Sequence, residues 1–225
     1  PATPYRSLLF ICCMWGTSFI MMDRAALAYG PLAIGMWRLL GGALTLGLYW
    51  ALTREPANVS KRDWWNIALV AALANAWPFT VLPYVMTQAE EHGYFGMLVT
   101  LVPLVTIVTA IPMLGIWPSA RQVIGVVGGL VCLAGVMIDG SQRGIPWGLL
   151  ALGLTVPLTY AVGNTYIKWK LDHLHPLPLT VLFLAIGGLM LVPLQFMPGV
   201  LAKLNLQGPA QPVYSLIATG SLALL

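Results

Sequence analysis

Long apolar stretches alternate along the chain with short polar segments that contain proline, glycine or charged residues. A helix needs about 20 apolar residues to cross the hydrocarbon core of a bilayer, and the stretches have about this length. The pattern predicts spans at 8–28, 32–52, 65–87, 93–115, 121–138, 146–168 and 178–197, and the start of an eighth near Val213. The expected fold class is therefore an all-α, multi-pass integral membrane protein.

The amino-acid composition agrees with lipid as the solvent. Hydrophobic residues make up 59% of the chain and charged residues 8%, whereas soluble domains have roughly 45–50% and 25%. The apolar runs are also too long for the roughly 10-residue strands of a membrane barrel. Cys12, Cys13 and Cys132 lie inside apolar runs without the Cys/His spacing of a metal site. We expect no disulfide framework, no metal and no cofactor.

Lysine and arginine are concentrated in alternate loops. If the N-terminus is cytoplasmic, the outside loops carry Arg24, Arg143 and Lys203. The inside segments carry Arg6, Arg54, Lys61, Arg62, Arg121, Lys168 and Lys170. This is the distribution of the positive-inside rule, which predicts a cytoplasmic N-terminus. The basic residues form no stripe, which argues against a nucleic-acid partner.

The chain resembles itself at an offset of 145 residues. Trp15-Gly16 falls on Tyr160-Ala161, Pro31-Leu32 on Pro176-Leu177, and Gly42 on Gly187. The offset spans five helices, an odd number, so the second copy is expected to enter the membrane from the opposite side. The prediction is a first five-helix repeat at 1–140 and an incomplete second repeat at 145–225. The chain begins without a methionine and stops inside an apolar run, so we expect a longer natural protein.

Several segments resemble the EamA-type branch of the drug/metabolite transporter superfamily. They are MWGTSFI at 14–20, Pro31 followed by Arg38, LGIWPSARQVIG at 114–125, and the segment 148–168. The resemblance implies a ten-helix bundle of two inverted five-helix repeats, of which seven to eight helices are present here. Ile116 stands where the family commonly has an acidic residue, which puts any role of that carboxylate in doubt for this chain.

Polar and aromatic residues inside the predicted spans are the candidates for a substrate cavity. Tyr160 and Asn164 share one helix face, and the repeat places Trp15 and Phe19 on the equivalent face of the first span. A buried arginine or asparagine is costly in lipid unless it is paired. The predicted cavity-lining set is Trp15, Ser18, Phe19, Arg38, Asn75, Trp77, Tyr84, Thr100, Tyr160 and Asn164. Helix packing and snorkelling are the structural alternatives for these residues.

Prolines interrupt the third and fourth predicted spans, where each removes an intrahelical hydrogen bond. Pro78, Pro83 and Pro103 are predicted to act as hinges or gates, and packing kinks are the alternative. No aspartate or glutamate lies in the middle of a predicted span. A proton-binding site of the kind that transporters use is therefore not expected in these helices.

The leading functional hypothesis is a carrier that moves a small organic metabolite, an amino acid or an amphipathic compound, across the inner (plasma) membrane of a bacterium. Export by alternating access is expected, with no catalytic residues and no enzymatic activity. The expected partners are the small-molecule substrate and the lipid bilayer, and homodimerisation is left open. An integral-membrane enzyme and a heptahelical sensor are the alternatives. The enzyme would need Glu90, Glu91 and His92 to act with His173 and His175, which the predicted topology places on opposite faces.

Overall fold

The computed structural model describes residues 9–10, 12–13, 16–18, 20–21, 24–25, 29–90, 92–142 and 144–196. The described residues between 9 and 25 are helical. The helices that follow are α1 (Pro31–Thr53), α2 (Lys61–Ala71), α3 (Trp77–Ala89), α4 (His92–Val99), α5 (Val102–Leu114), α6 (Ala120–Gln142), α7 (Trp147–Tyr166) and α8 (Pro176–Gln195). A π-helical turn at Ala72–Ala76 joins α2 to α3, and another at Ile167–Leu171 extends α7. The eighth predicted span, near Val213, lies outside the described residues.

Five helical segments of the described part are long and apolar enough to cross a membrane. They are Pro31–Thr53, Lys61–Ala89, Tyr94–Leu114, Ala120–Asp139 and Pro176–Gln195. Together with α7 they match six of the predicted spans closely. The combined helix at 147–171 is equally long, but Thr155, Thr159 and Asn164 lower its hydropathy. The described part of the chain is therefore all-helical, as in a multi-pass membrane protein.

Local sequence explains where several helices begin. Pro31 and Pro176 occupy the first turns of α1 and α8, where a missing N–H costs nothing. The start of α2 is a capping box: the Ser60 backbone N–H donates to Asp63 Oδ2 (2.9 Å) and the Asp63 N–H donates to Ser60 Oγ (3.3 Å). These signals fix the loop ends of the three helices.

The predicted span 93–115 is one membrane-length segment, Tyr94–Leu114, made of two helices joined by a two-residue turn. The N–H groups of Thr100 and Leu101 donate to carbonyls three residues back, at 3.0 and 3.1 Å, and α5 begins at Val102. Pro103 has no N–H to donate to the carbonyl of Val99, so the α-helical ladder cannot continue through this point. A kink was expected here, and the structure shows a two-residue turn between α4 and α5.

Helices α1 and α8 pack against each other in antiparallel directions. A Cβ built at Gly47 would lie 3.6 Å from Val181 Cγ1, and one at Gly42 would lie 3.5 Å from Leu184 Cδ1. Further toward the N-terminus of α1, Leu39 Cδ1 lies 3.5 Å from the corresponding position of Gly187. Residue numbers rise along α1 as they fall along α8, and glycines allow the two backbones to approach closely.

Helices α3 and α7 pack around the pair formed by α1 and α8. Helix α3 lies against α1, where Gly35 meets the backbone carbonyl of Phe79. Helix α7 lies against the π-helical turn through Gly163 and Ala74, and against α4 through Gly153 and Phe95. Helix α6 stays at the periphery, because none of its described side chains is buried. The bundle thus centres on α1, α3, α7 and α8.

Candidate functional site

Side chains from four helical segments converge around Arg38 of α1. Arg38 Nη2 donates to Ser18 Oγ at 2.8 Å, and its guanidinium carbon lies 4.7 Å from the centroid of the Phe79 ring. Phe79 in turn meets Tyr160 of α7 edge-on, with ring centroids 6.5 Å apart at 66°. We call Ser18, Arg38, Phe79 and Tyr160 the Arg38 cluster. A hydrogen bond and a cation–π contact offset part of the cost of holding this charge in the bundle.

Asn75 lies one turn before Phe79, on the π-helical turn. Its side chain is 5% exposed, and Nδ2 has no hydrogen-bond partner among the described residues. The amide is held against α8, where a Cβ built at Gly187 would lie 3.1 Å from Asn75 Cβ. Because a buried unsatisfied donor costs about 1–3 kcal/mol, this group calls for an explanation other than packing.

The polar side chains of α7 mostly join helices. Trp77 Nε1 donates to Thr155 Oγ1 at 2.9 Å, and the hydroxyls of Thr109 and Thr165 lie 2.8 Å apart. At the C-terminal end of α7, the Tyr166 hydroxyl donates to Asn66 Oδ1 at 2.8 Å. These bonds tie α7 to α2, α3 and α5 in a way that is typical of membrane bundles.

The other predicted cavity residues occupy different environments. Trp77 is 43% exposed, Asn164 is also exposed, and Tyr84 is half-buried. Thr100 is exposed at the break between α4 and α5, and its hydroxyl donates to the carbonyl of Met97 at 2.6 Å. The structure thus brings Ser18, Arg38 and Tyr160 together. Tyr84 packs against the same buried residues as Phe79 and Tyr160, whereas Trp77, Thr100 and Asn164 are exposed. Trp15 and Phe19 lie outside the described residues.

The three predicted hinge prolines differ in what they do to the backbone. Pro78 follows the π-helical turn, in which the Trp77 N–H reaches the carbonyl of Ala72, five residues back. Pro103 accompanies the break at residues 100–101 described above. Pro83 leaves the carbonyl of Phe79 without its helical donor, and this oxygen packs against Gly35. The carbonyl freed by Pro83 therefore faces a neighbouring helix.

A separate apolar cleft of about 330 Å³ lies between α5, α6 and α7. Its lining is entirely apolar: Leu101, Leu104, Val105, Val108, Val126, Leu130, Leu133, Leu154, Pro157 and Leu158. Metabolite sites need a few polar groups to orient the ligand, and this cleft offers none. No predicted site residue lines it.

The described residues offer no metal centre, since no group of three or more His, Cys, Asp or Glu side chains lies close enough together to hold an ion. Cys12, Cys13 and Cys132 are free thiols on exposed positions. The described part of the bundle thus combines the half-buried Arg38 guanidinium, an aromatic pair and the buried Asn75 amide.

Sequence reasoning missed Phe79, which carries both ring contacts of the cluster. Its signal was available: Phe79 is four residues after Asn75, on the same helix and between two prolines. Side chains at this spacing share a helix face.

Comparison with known proteins decides the family. The profile of the EamA-like transporter family matches residues 5–138, which is more than half of the chain. The chain belongs to this family. It is also 31% identical over 192 residues to a Bacillus subtilis (strain 168) protein named "Uncharacterized transporter YvbV". The match covers 82% of this chain and 60% of that relative. No solved structure matches the chain.

Membership in the EamA-like transporter family and the membrane-length apolar helices identify the chain as part of a multi-pass membrane protein of that family. The family and the named relative point away from an enzyme. The chain spans 60% of the relative's length.

Proposed function

We propose that this EamA-like protein exports a small organic metabolite, of the size and polarity of an amino acid or a small amphipathic compound, across a bacterial inner membrane. Transport proceeds by alternating access between two inverted five-helix repeats, at 1–140 and from 145 onward. The N-terminus lies in the cytoplasm. The complete carrier has ten helices in two repeats.

The observation that carries this proposal is a reciprocal contact between α1 and α8. Gly42 faces Leu184, and Leu39 faces Gly187. Positions 42 and 187, and positions 39 and 184, both differ by 145, the offset of the internal repeat. Replacing each residue by its repeat counterpart turns the first contact into the second. A pseudo-two-fold axis between inverted repeats produces such equivalent contacts.

The Arg38 cluster supports a substrate site beside this axis. Arg38 is the neighbour of Leu39 in the chain, and Asn75 touches the same Gly187 that Leu39 contacts. Substrates of inverted-repeat carriers bind near the midplane where the repeats meet. An aromatic pair, a hydroxyl and the unpaired Asn75 amide suit a ligand that has both an apolar body and a hydrogen-bond acceptor.

The remaining lining residues belong to the same proposal. The proposal also includes, as substrate contacts, Trp15 and Phe19 of the first predicted span and Asn164 of α7. Trp77, Tyr84 and Thr100 are included on the same basis. The irregular backbone at Ala72–Ala76 before Pro78, and the break before Pro103, provide the hinges, with Pro83 as a third. Irregular backbone is a common place for helices to bend in transporters.

The alternatives receive less support from the structure. His173 and His175 contact carboxylates at one end of the bundle, while Glu90 follows the far end of the helix that begins at Lys61. At 1.5 Å per residue that helix separates Asp63 from Glu90 by about 40 Å. The two clusters that an enzyme would need therefore cannot form one site. No observation favours a heptahelical sensor.

The test is a flux assay with the full-length protein in proteoliposomes, screened with radiolabelled amino acids, nucleosides and organic cations. We expect saturable, exchangeable uptake for one class, with preference altered by Asn164→Ala. The matched control is Thr45→Val, because the Thr45 hydroxyl bonds only to carbonyls of its own helix at 3.1 Å among the described residues. Equal loss of flux and folding in both variants would contradict the assignment of Asn164 to the cavity.

A further inference from the structure

Two histidines reach across one end of the bundle to two carboxylates. His173 Nε2 lies 3.3 Å from Asp63 Oδ2, and His175 Nδ1 lies 3.0 Å from Glu55 Oε2. The histidines belong to the turn between α7 and α8, and Glu55 and Asp63 flank the loop between α1 and α2. We call these four residues the histidine latch.

The latch joins the two predicted repeats. Glu55 and Asp63 lie within residues 5–138, the part matched by the EamA-like family, and both histidines lie in the second repeat. If the repeats rock against each other, contacts between them at one end must separate when that end opens. The structure therefore shows the latch end of the bundle closed.

The Asp63 carboxylate is buried, that of Glu55 is half-buried, and the histidines are open to solvent. The Asp63 side chain is 7% exposed and that of Glu55 is 33% exposed, whereas those of His173 and His175 are 58% and 55% exposed. Asp63 is also held in place by the backbone N–H of Ser60. Protons can thus reach the imidazoles directly from water, and each imidazole already lies next to a carboxylate.

Other charges at this end come from every element that packs there. Lys168 and Asp172 pair with each other at 2.6 Å, and Lys170 lies 3.6 Å from the centroid of the Trp169 ring. Arg54 follows α1, and Lys61 and Arg62 begin α2, all exposed. Helix α8 adds no charged residue.

We propose that the histidine latch is a proton-sensitive lock that holds this end of the carrier shut at low pH. This inference rests on the proposed rocking of the two repeats. Histidine is the side chain whose charge changes between about pH 5 and 8. Protonation converts two hydrogen bonds between a neutral imidazole and a carboxylate into ion pairs, which adds the attraction between opposite charges. Acid on this side therefore favours the closed end, and alkali releases it.

The histidine latch lies far from the Arg38 cluster. Seventeen residues of α1 and its flanking turn separate Arg38 from Glu55, or about 25 Å at 1.5 Å per residue. The latch sets which end opens without contacting a substrate at the cluster. If this end is cytoplasmic, as the positive-inside pattern predicts, acidification of the cytoplasm slows loading for export.

The experiment measures distances by pulsed EPR in the full-length protein in nanodiscs, with Cys12, Cys13 and Cys132 replaced by alanine. Spin labels at Ala57→Cys and Trp169→Cys report on the latch end, and labels at Glu90→Cys and Trp147→Cys report on the opposite end. From about pH 8 to about pH 5.5, we expect the ratio of short to long distances at the latch end to rise about threefold to tenfold.

Three variants separate the latch from other causes. The double substitution His173→Gln with His175→Gln should abolish the pH response and favour long distances. The double substitution His173→Lys with His175→Lys should keep the short distances at both pH values. His92→Gln, which changes the remaining histidine of the sequence, should respond like the parent. Substituting the histidines leaves the Ser60–Asp63 cap of α2 intact.

Each outcome decides one claim. A pH response that persists in the Gln double variant, or no response in the parent, would overturn the latch. A latch end that responds to pH while the opposite end keeps its distances would uphold the latch and contradict alternating access. A reciprocal response at the two ends supports both.

Discussion

Gly42 faces Leu184 where α1 crosses α8, and a Cβ built on the glycine would lie 3.5 Å from Leu184 Cδ1. The same distance separates Leu39 Cδ1 from the Cβ position of Gly187. Gly42 and Gly187 occupy equivalent positions of the two repeats, and so do Leu39 and Leu184. Two helices that share a sequence pattern therefore meet through equivalent residues while running in opposite directions.

Gly35 and Gly42 lie on the same helix and should respond differently to alanine. A Cβ at Gly35 would overlap the backbone carbonyl of Phe79, whereas the one at Gly42 would make ordinary van der Waals contact with a side chain. We expect Gly35→Ala to lower the thermal unfolding midpoint, at a cost of about 1–3 kcal/mol. Gly42→Ala should keep or raise it, since alanine favours helix. Equal midpoints, read by tryptophan fluorescence on heating, would contradict the packing described for Gly35.

Two buried or half-buried asparagines form a second matched pair. Asn75 has an amide nitrogen without a partner among the described residues, while Asn66 accepts a 2.8 Å bond from Tyr166. Asn75→Leu should therefore raise stability by about 1 kcal/mol and still reduce transport strongly. Asn66→Leu should lower stability instead. If Asn75→Leu left flux unchanged, a substrate contact by Asn75 would be excluded.

Arg38 makes contacts that lysine cannot reproduce. Its guanidinium lies over the Phe79 ring and also donates to Ser18, and a lysine ammonium lacks the planar fork needed for both. We expect Arg38→Lys to slow exchange by about tenfold, which is the effect of about 1.4 kcal/mol. Arg121→Lys, at the exposed start of α6, is the control and should transport like the parent. A normal rate in Arg38→Lys would show that charge alone is sufficient.

Asn164 and Thr165 are adjacent on α7 but are predicted to have different roles. Thr165 is 2% exposed and bonds to Thr109 across to α5, so Thr165→Val should cost about 1 kcal/mol of stability. Asn164 is exposed, so Asn164→Ala should fold normally. Its effect should be on the order of preference among competing substrates, measured by inhibition of labelled uptake. A loss of stability in Asn164→Ala without a change in preference would favour the packing role.

The spans were predictable because their signals are local. Apolar runs of the right length and prolines at helix starts, such as Pro31 and Pro176, placed six of the helices to within a few residues in the described part. The reciprocal glycines Gly42 and Gly187 were also visible as a repeat. Lipid makes such signals reliable, since every backbone group must be satisfied within its own helix.

The site was only partly predictable because it depends on which side chains meet. Ser18, Arg38 and Tyr160 were singled out one by one, but Phe79, which contacts two of them, was not. The π-helical turn at Ala72–Ala76 shifts the helix face by one residue, and no apolar period signals it. The break at residues 100–101 was expected only as a kink. The latch carboxylates lie more than a hundred residues from their histidines, so no local pattern joins them.

The central claim is that equivalent helices of the two repeats cross the membrane in opposite directions, and sidedness of labelling tests it most directly. Tyr29→Cys lies just before α1, and Asp172→Cys lies just before α8. Each is placed singly in full-length protein without its native cysteines, in intact cells, and treated with a membrane-impermeant maleimide. We predict that the reagent modifies Tyr29→Cys from outside, and Asp172→Cys only after the membrane is permeabilised. Modification of both positions from the same side would show that the repeats run in parallel and would contradict the account.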